Sequence, residues 1–172
     1  MLCGVMCAKY ILNNLHISFN ELNLNLKWTP QIALYLNKKG LSNIKIYCYN
    51  SKLYCDYKEF GYSNLDFEGF KSIYDALSNN ILIEEKKLDS NEIKNELMRS
   101  KFMILCVKSS IFNNDNQMDG GHFIILLKTN NNGLIKVINP IKDKYEIKYL
   151  SDNFLIDCCK EYGSWRILIG EE

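Results

Sequence analysis

One cysteine near the amino end, Cys3, is the side chain of this sequence best placed to act as a nucleophile. It precedes a stretch with apolar residues at helical spacing, so we expect it to begin the first helix. The unpaired N–H groups and the dipole of a helix N-terminus favour negative charge, which predicts a lowered thiol pKa. Taken alone, Cys3 is better explained as a free thiol without a role.

The proton acceptor that such a thiol needs is best sought at His122. The sequence has two histidines, and His16 follows the first helix, where we expect a surface or half-buried side chain. His122 directly follows two glycines and opens an apolar, strand-like run. A cysteine paired with a histidine base is the arrangement of enzymes that form a thioester during acyl transfer.

A third residue, Asn139, is predicted to lie beside His122. The strand after His122 turns back through Thr129–Gly133, an Asn-rich loop ending in glycine, which is typical of a hairpin. If the loop closes near residues 128 and 134, the residue facing His122 is about 140. An Asn139 amide oxygen there would accept a ring N–H and fix the tautomer. We expect Pro140 to end that strand.

The elements that must position these residues change in type along the chain. Helices are predicted at 3–14, 29–40, 66–77 and 151–162, and one more follows the capping box that starts at Asp89. The first of these helices has an apolar stripe of Val5, Ala8, Leu12 and Leu15. Strand-like runs are Asn43–Tyr49, Phe102–Lys108, His122–Lys128, Leu134–Asn139, Tyr145–Tyr149 and Trp165–Gly170. Helices gathered before an antiparallel sheet indicate an α+β fold, as a single domain over residues 1–172. The longest polar connection, Ser109–Gly121, is expected to be a loop.

Several short motifs resemble one known family in order and over nearly the whole chain. They are the LCGVMCAKYIL start, WTPQIALYL, GHFIIL at His122, Asn139-Pro140 and the ending YGSWRILIG. This combination is similar to the bacteriocin-processing (double-glycine leader) peptidases of the papain-like cysteine peptidase clan, and closest to the guanylyl-cyclase-domain-containing branch.

The resemblance implies a papain-like fold in which the nucleophile helix packs on a C-terminal antiparallel sheet. It also implies the roles of nucleophile for Cys3, general base and acid for His122, and orienting residue for Asn139. The family places a Gln before the cysteine to complete the oxyanion hole, whereas only Met1 and Leu2 precede Cys3 here. Three explanations stay open: the sequence starts too late to include that residue, Gln117 or a backbone N–H replaces it, or hydrolysis has been lost.

Composition narrows the function classes. A net charge of +1 and a pI near 7.5 predict no nucleic-acid partner. No apolar run is long enough for a membrane span, so we expect a cytoplasmic protein. Most of the seven cysteines are expected to be reduced there. No cofactor or metal is predicted.

The leading hypothesis is therefore an acyl-Cys3 enzyme, a peptidase or amidase if water accepts the acyl group. With an amine acceptor it is an amide synthetase or amidotransferase, fed by a peptide, an amide or a carrier-protein thioester and serving natural-product biosynthesis. Three alternatives stay open. They are a non-catalytic binding protein on the same fold, a nucleotide cyclase, and a zinc site formed by Cys3, Cys7 and His122.

Overall fold

A computed structural model of the chain describes residues 2–20, 24–48, 71–72, 75–86, 88–115, 120–128, 133–159 and 166–170. The helices are α1 (Cys3–Asn14), α2 (Thr29–Lys38), α3 (Ser90–Arg99), α4 (Ser109–Asn113) and α5 (Asp152–Cys159). The strands are β1 (Ile44–Cys48), β2 (Leu82–Glu85), β3 (Ser100–Lys108), β4 (Gly121–Leu127), β5 (Ile135–Ile141), β6 (Lys144–Leu150) and β7 (Arg166–Gly170). Residues 71–72 and 75–78 are also helical.

These seven strands form one mixed sheet in the order β2-β1-β7-β3-β4-β5-β6. Strands β3 to β6 follow one another as an antiparallel meander. The last strand, β7, lies between β1 and β3 and is antiparallel to both, while β1 and β2 are parallel. The fold is therefore α+β, as predicted, with the strands of both halves of the chain joined through β7.

Apolar side chains cover both faces of the sheet, because alternate residues of each strand point to opposite sides. On the first face α1 and α2 pack on residues that include Ile46, Ile104, Phe123, Ile125 and Ile138. On the second face α3, α4 and α5 pack on residues that include Met103, Leu105, Ile124, Leu126 and Val137. The helices thus lie on both faces of the sheet, and the helix predicted at 151–162 is present as α5.

The local signals for helix boundaries are confirmed. Asp89 and Glu92 form the reciprocal capping box of α3, since the Glu92 N–H donates to Asp89 Oδ1 at 2.8 Å and the Asp89 N–H to Glu92 Oε2 at 3.0 Å. Gly40, with a φ of +96°, follows α2 in a backbone conformation that suits glycine. In α1, Val5, Ala8 and Leu12 are buried as the stripe predicts.

Three elements differ from the prediction. The short strand β2 was not predicted, and α4 occupies the start of the connection expected to be a loop. Strand β5 runs on to Ile141, although Pro140 was expected to end it. Because proline lacks only an N–H, it interrupts the ladder on one side, and β5 keeps its pairing with β6 through Pro140 and Ile141.

Two segments lie mainly outside the described residues. Most of the helix predicted at 66–77 and nearly all of the hairpin loop at 129–133 belong to them. Within the part of the chain that the structure describes, no helix combines the length and the apolar character needed to cross a membrane.

The position of α1 depends on Gly4, the second residue of the helix. A Cβ on Gly4 would overlap the carbonyl oxygen of Leu26, in the segment that leads into α2. That segment is held by Gln31, whose side-chain oxygen accepts the N–H of Lys27 at 2.9 Å and of Trp28 at 3.1 Å. Glycine at position 4 therefore allows two backbone segments to touch, and it fixes the residue next to Cys3.

We predict that Gly4→Ala lowers the free energy of unfolding by about 1–3 kcal/mol, the usual cost of forcing extra volume into a packed site. The obstacle is a backbone oxygen, which cannot move aside as a side chain end does. Urea unfolding followed by circular dichroism measures the change, and Asn13→Ala, on the exposed side of the same helix, is the control. A Gly4→Ala protein as stable as the wild type would contradict this account of the α1 position.

Candidate functional site

The amino-terminal half of α1 is hydrogen-bonded to strand β4 at Phe123. Its N–H donates to Cys3 Sγ at 3.5 Å, and its carbonyl accepts from Cys7 Sγ at 3.6 Å. Cys3 and Cys7 are one helical turn apart, so their sulfurs lie on one face of α1. Two thiols therefore satisfy both polar backbone groups of one strand residue.

Phe123 is open to these thiols because β4 and β5 stop pairing nearby. The ladder runs from Leu127 opposite Lys136 to Ile125 opposite Ile138. The same register continued would put Phe123 opposite Pro140, which has no N–H to donate. The amino end of α1 lies at this opening. Tyr145 of β6 also anchors it, donating its hydroxyl to the Met6 carbonyl at 2.9 Å.

The structure joins His122 to Asn139 directly, with 2.7 Å between His122 Nε2 and Asn139 Oδ1. The register from Ile125–Ile138 places residue 141, and not 140, opposite His122. Our predicted register was therefore wrong by one residue. The difference matters because a shift of one residue moves a side chain to the other face of the sheet. In the observed register Asn139 and His122 share the second face, diagonally across the two strands.

The His122 ring lies against Phe112 of α4, with 6.1 Å between the ring centroids. Burial lowers the pKa of His122, and the nearby Lys148 ammonium lowers it further, while the bond to Asn139 raises it in part. The imidazole is therefore neutral at neutral pH. Neutral imidazole can accept a proton on one ring nitrogen while the other stays bonded to Asn139.

Burial also raises the pKa of the Cys3 thiol, and our prediction of a lowered value is wrong. Hydrogen bonds from the N–H groups of Phe123, Gly4 and Cys3 itself lower the pKa, but they offset only part of the burial. The amino end of a helix favours the thiolate, as expected, but loss of water around the sulfur has the larger effect. The resting site holds a neutral thiol and a neutral imidazole.

Cys3 and His122 approach the sheet from different sides. Cys3 packs with the first-face core, while the His122 side chain follows the second face. The Cys3 sulfur reaches the amide of Phe123, the residue directly after His122. Within the described chain no hydrogen bond joins the thiol to the ring, and the link between them is the Phe123 amide.

The Asn139 amide is completely buried and bonded at both ends. Its Nδ2 donates to Glu146 Oε2 at 3.0 Å, on the neighbouring strand β6. Lys148 Nζ lies 3.3 Å from the same carboxylate oxygen and 4.9 Å from the centroid of the Phe112 ring. Asn139 and Lys148 both lower the pKa of Glu146, which therefore stays charged. A connected polar chain thus runs from the His122 ring to the protein surface.

Three further residues considered in the sequence analysis are His16, Gln117 and Cys7. His16 is exposed, as expected, with a φ of 57°. Gln117, the proposed oxyanion donor, lies outside the described residues. Cys7 is used by the Phe123 carbonyl, and over the described ranges no three His, Cys, Asp or Glu side chains are grouped to hold a metal ion. The zinc alternative therefore gains no support.

Sequence reasoning missed Phe112, Glu146 and Lys148. Phe112 lies in the connection that we expected to be a loop, and no local pattern marks it. Glu146 and Lys148 alternate along an edge strand, which is typical of a solvent-exposed face. Only the pairing of Asn139 with Glu146 across β5 and β6 reveals the contact.

Comparisons with protein-family models, with curated proteins and with solved structures find no match for this chain.

We predict that Cys3 in the native protein reacts slowly with iodoacetamide at about pH 6 and faster as the pH rises. A raised pKa means that the reactive thiolate is scarce at low pH and accumulates only on the alkaline side. Peptide-level mass spectrometry measures the rate at Cys3, and the same residue in urea-unfolded protein is the control. Fast labelling that stays constant from about pH 5 to 7 would instead show a preformed thiolate–imidazolium pair.

Proposed function

We propose that this chain is a cysteine-nucleophile acyl-transfer enzyme of the papain-like clan, working through an acyl-Cys3 thioester. Cys3 is the nucleophile, His122 is the general base and then the acid, and Asn139 orients the ring. The observation that carries the proposal is the 2.7 Å bond from His122 to a fully buried Asn139, beside a thiol held on the next peptide. A half-buried imidazole with a buried amide partner has the geometry of a positioned base.

In the first step the Cys3 sulfur attacks a carbonyl carbon while its proton passes to His122. The sulfur leaves the Phe123 amide for this step, because that amide holds it one residue away from the ring. Hydrogen bonds at catalytic sites are often long before substrate binds and shorten in the complex. His122 then gives the proton to the departing amine or thiol, and the acyl group stays on the sulfur.

The beginning of α1 supports this step electrostatically. The Cys3 and Gly4 N–H groups both lie close enough to the sulfur to lower its pKa. The oxyanion of a tetrahedral intermediate forms next to that sulfur, so the Cys3 N–H is a donor for it. No side chain caps the helix at Leu2, and its first turn carries no acidic residue that would oppose a negative charge.

The second step decides whether the enzyme is a hydrolase or a transferase. Water attacking the thioester gives a peptidase or amidase, while an amine gives an amide synthetase or amidotransferase. The substrate is a peptide, an amide or a carrier-protein thioester, and no nucleic acid or membrane takes part. The five described cysteines that are free support a reducing, cytoplasmic location.

A non-catalytic binding protein on the same fold is the second candidate, and one observation favours it. The Cys3 thiol is protonated and already occupied by the Phe123 amide, as a purely structural cysteine would be. Such a protein would need the half-buried His122–Asn139 pair only to stabilise the sheet. The two candidates differ in whether the sulfur accepts an acyl group.

Incubation with an S-acyl N-acetylcysteamine thioester distinguishes them. We predict an adduct with the mass of the acyl group, mapped to Cys3 and absent in Cys3→Ala. His122→Ala should slow its formation by about 100-fold or more, the usual contribution of a general base. His16→Asn, at the other histidine, should react at the wild-type rate because asparagine tolerates the positive φ found there.

The outcome also separates the two fates of the thioester. Decay in buffer alone to free acid indicates a hydrolase, and decay only after a primary amine is added indicates a transferase. If folded wild-type protein forms no adduct at Cys3, or if Cys3→Ala forms the same adduct, the enzymatic proposal fails and the binding-protein candidate remains.

A further inference from the structure

We infer that Glu146 is a positioning residue that fixes the tautomer of His122 through the Asn139 amide. This inference rests on the proposed function for its use in catalysis, but the tautomer itself can be measured without any substrate. It concerns the part of the site that lies on β6, a strand that no motif in the sequence connects with His122.

The direction of the Asn139 amide follows from its neighbours. An amide side chain has a donating end and an accepting end, and either could face His122. The carboxylate of Glu146 only accepts, so the NH₂ end must face it, at the observed 3.0 Å. The carbonyl oxygen Oδ1 must then face His122, at the observed 2.7 Å.

The tautomer of His122 follows in turn. Because Oδ1 of Asn139 only accepts, the Nε2 atom that lies against it must carry the ring proton. In the neutral ring Nδ1 is then the nitrogen that can accept a proton from a thiol. A reversed amide would leave Nε2 bare and put the proton on Nδ1, which would abolish its function as a base.

The surroundings explain why the carboxylate, and not another group, sets this direction. Asn139 has no exposed surface, so water does not compete for its ends. Leaving a buried amide end unpaired costs about 1–3 kcal/mol, which makes the reversed orientation against a carboxylate unfavourable. Lys148, 3.3 Å from the same oxygen, and Asn139 both keep the carboxylate charged and therefore unable to donate.

Two substitutions at Glu146 test whether this residue sets the direction of the Asn139 amide or only contacts it. Glu146→Lys puts a group that only donates beside Asn139, so the amide should reverse and the ring proton move to Nδ1. Glu146→Gln keeps an accepting oxygen and should keep the wild-type tautomer. Asp143→Lys, in the exposed turn before β6, makes the same change of charge and is the matched control.

The measurement is a two-bond ¹H–¹⁵N correlation spectrum of ¹⁵N-histidine-labelled protein at about pH 8, where the His122 imidazole is neutral. The spectrum holds only His16 and His122, and His16→Asn assigns them. We expect the Nε2–H form of His122 in the wild type, Glu146→Gln and Asp143→Lys, and the Nδ1–H form in Glu146→Lys. The rate of Cys3 acylation should fall by about tenfold or more in Glu146→Lys and stay within about threefold in Glu146→Gln.

An Nε2–H form that persists in Glu146→Lys with the wild-type fold overturns the inference. An Nδ1–H form in the wild type overturns it as well. If the tautomer moves as expected but even the wild type forms no adduct at Cys3, the positioning role of Glu146 stands and the acyl-transfer proposal fails. If Glu146→Lys unfolds, the Glu146→Ala spectrum decides, because loss of the carboxylate should leave a mixture of tautomers.

Discussion

The candidate site depends on the way one peptide unit of strand β4 is held. The N–H and C=O of Phe123 would remain unpaired beside the opening between β4 and β5, and a buried backbone group without a partner is costly. The sulfurs of Cys3 and Cys7 fill both positions. The same contacts that complete the strand therefore fix the amino end of α1, and they bring its first thiol to the residue that follows the histidine.

Burial at this junction shifts the pKa values of Cys3 and His122 in opposite directions, and in both cases it favours the neutral form. It raises the pKa of Cys3 and lowers the pKa of His122, because in each case the charged form loses water. Both groups are therefore neutral at rest. In the acyl-transfer mechanism that we propose, a proton must then move when the sulfur attacks. The base has to present its bare nitrogen before that step, so the tautomer matters more than it would in a preformed ion pair.

The features that sequence reasoning predicted correctly are those that neighbouring residues determine. The capping box at Asp89, the positive φ at Gly40 and the buried stripe of α1 each arise within a few residues. Features that arise between distant segments were missed: strand β2 forms only beside β1, and Glu146 reaches Asn139 only through the pairing of β5 with β6. The proximity of Cys3 to His122 was suggested by the resemblance, since no spacing in the sequence joins them.

The contact between His122 and Asn139 requires one particular register of β4 against β5. A register one residue different from the observed one would turn Asn139 to the first face, among Ile125 and Ile138, and away from the ring. Pro140 limits the alternatives, because it cannot donate to β4 at any register. Pairing of Asn139 with Glu146 on the other side adds a second requirement. Strands β5 and β6 thus jointly select the face of the sheet on which His122 bonds to Asn139, and α1 packs on the other face.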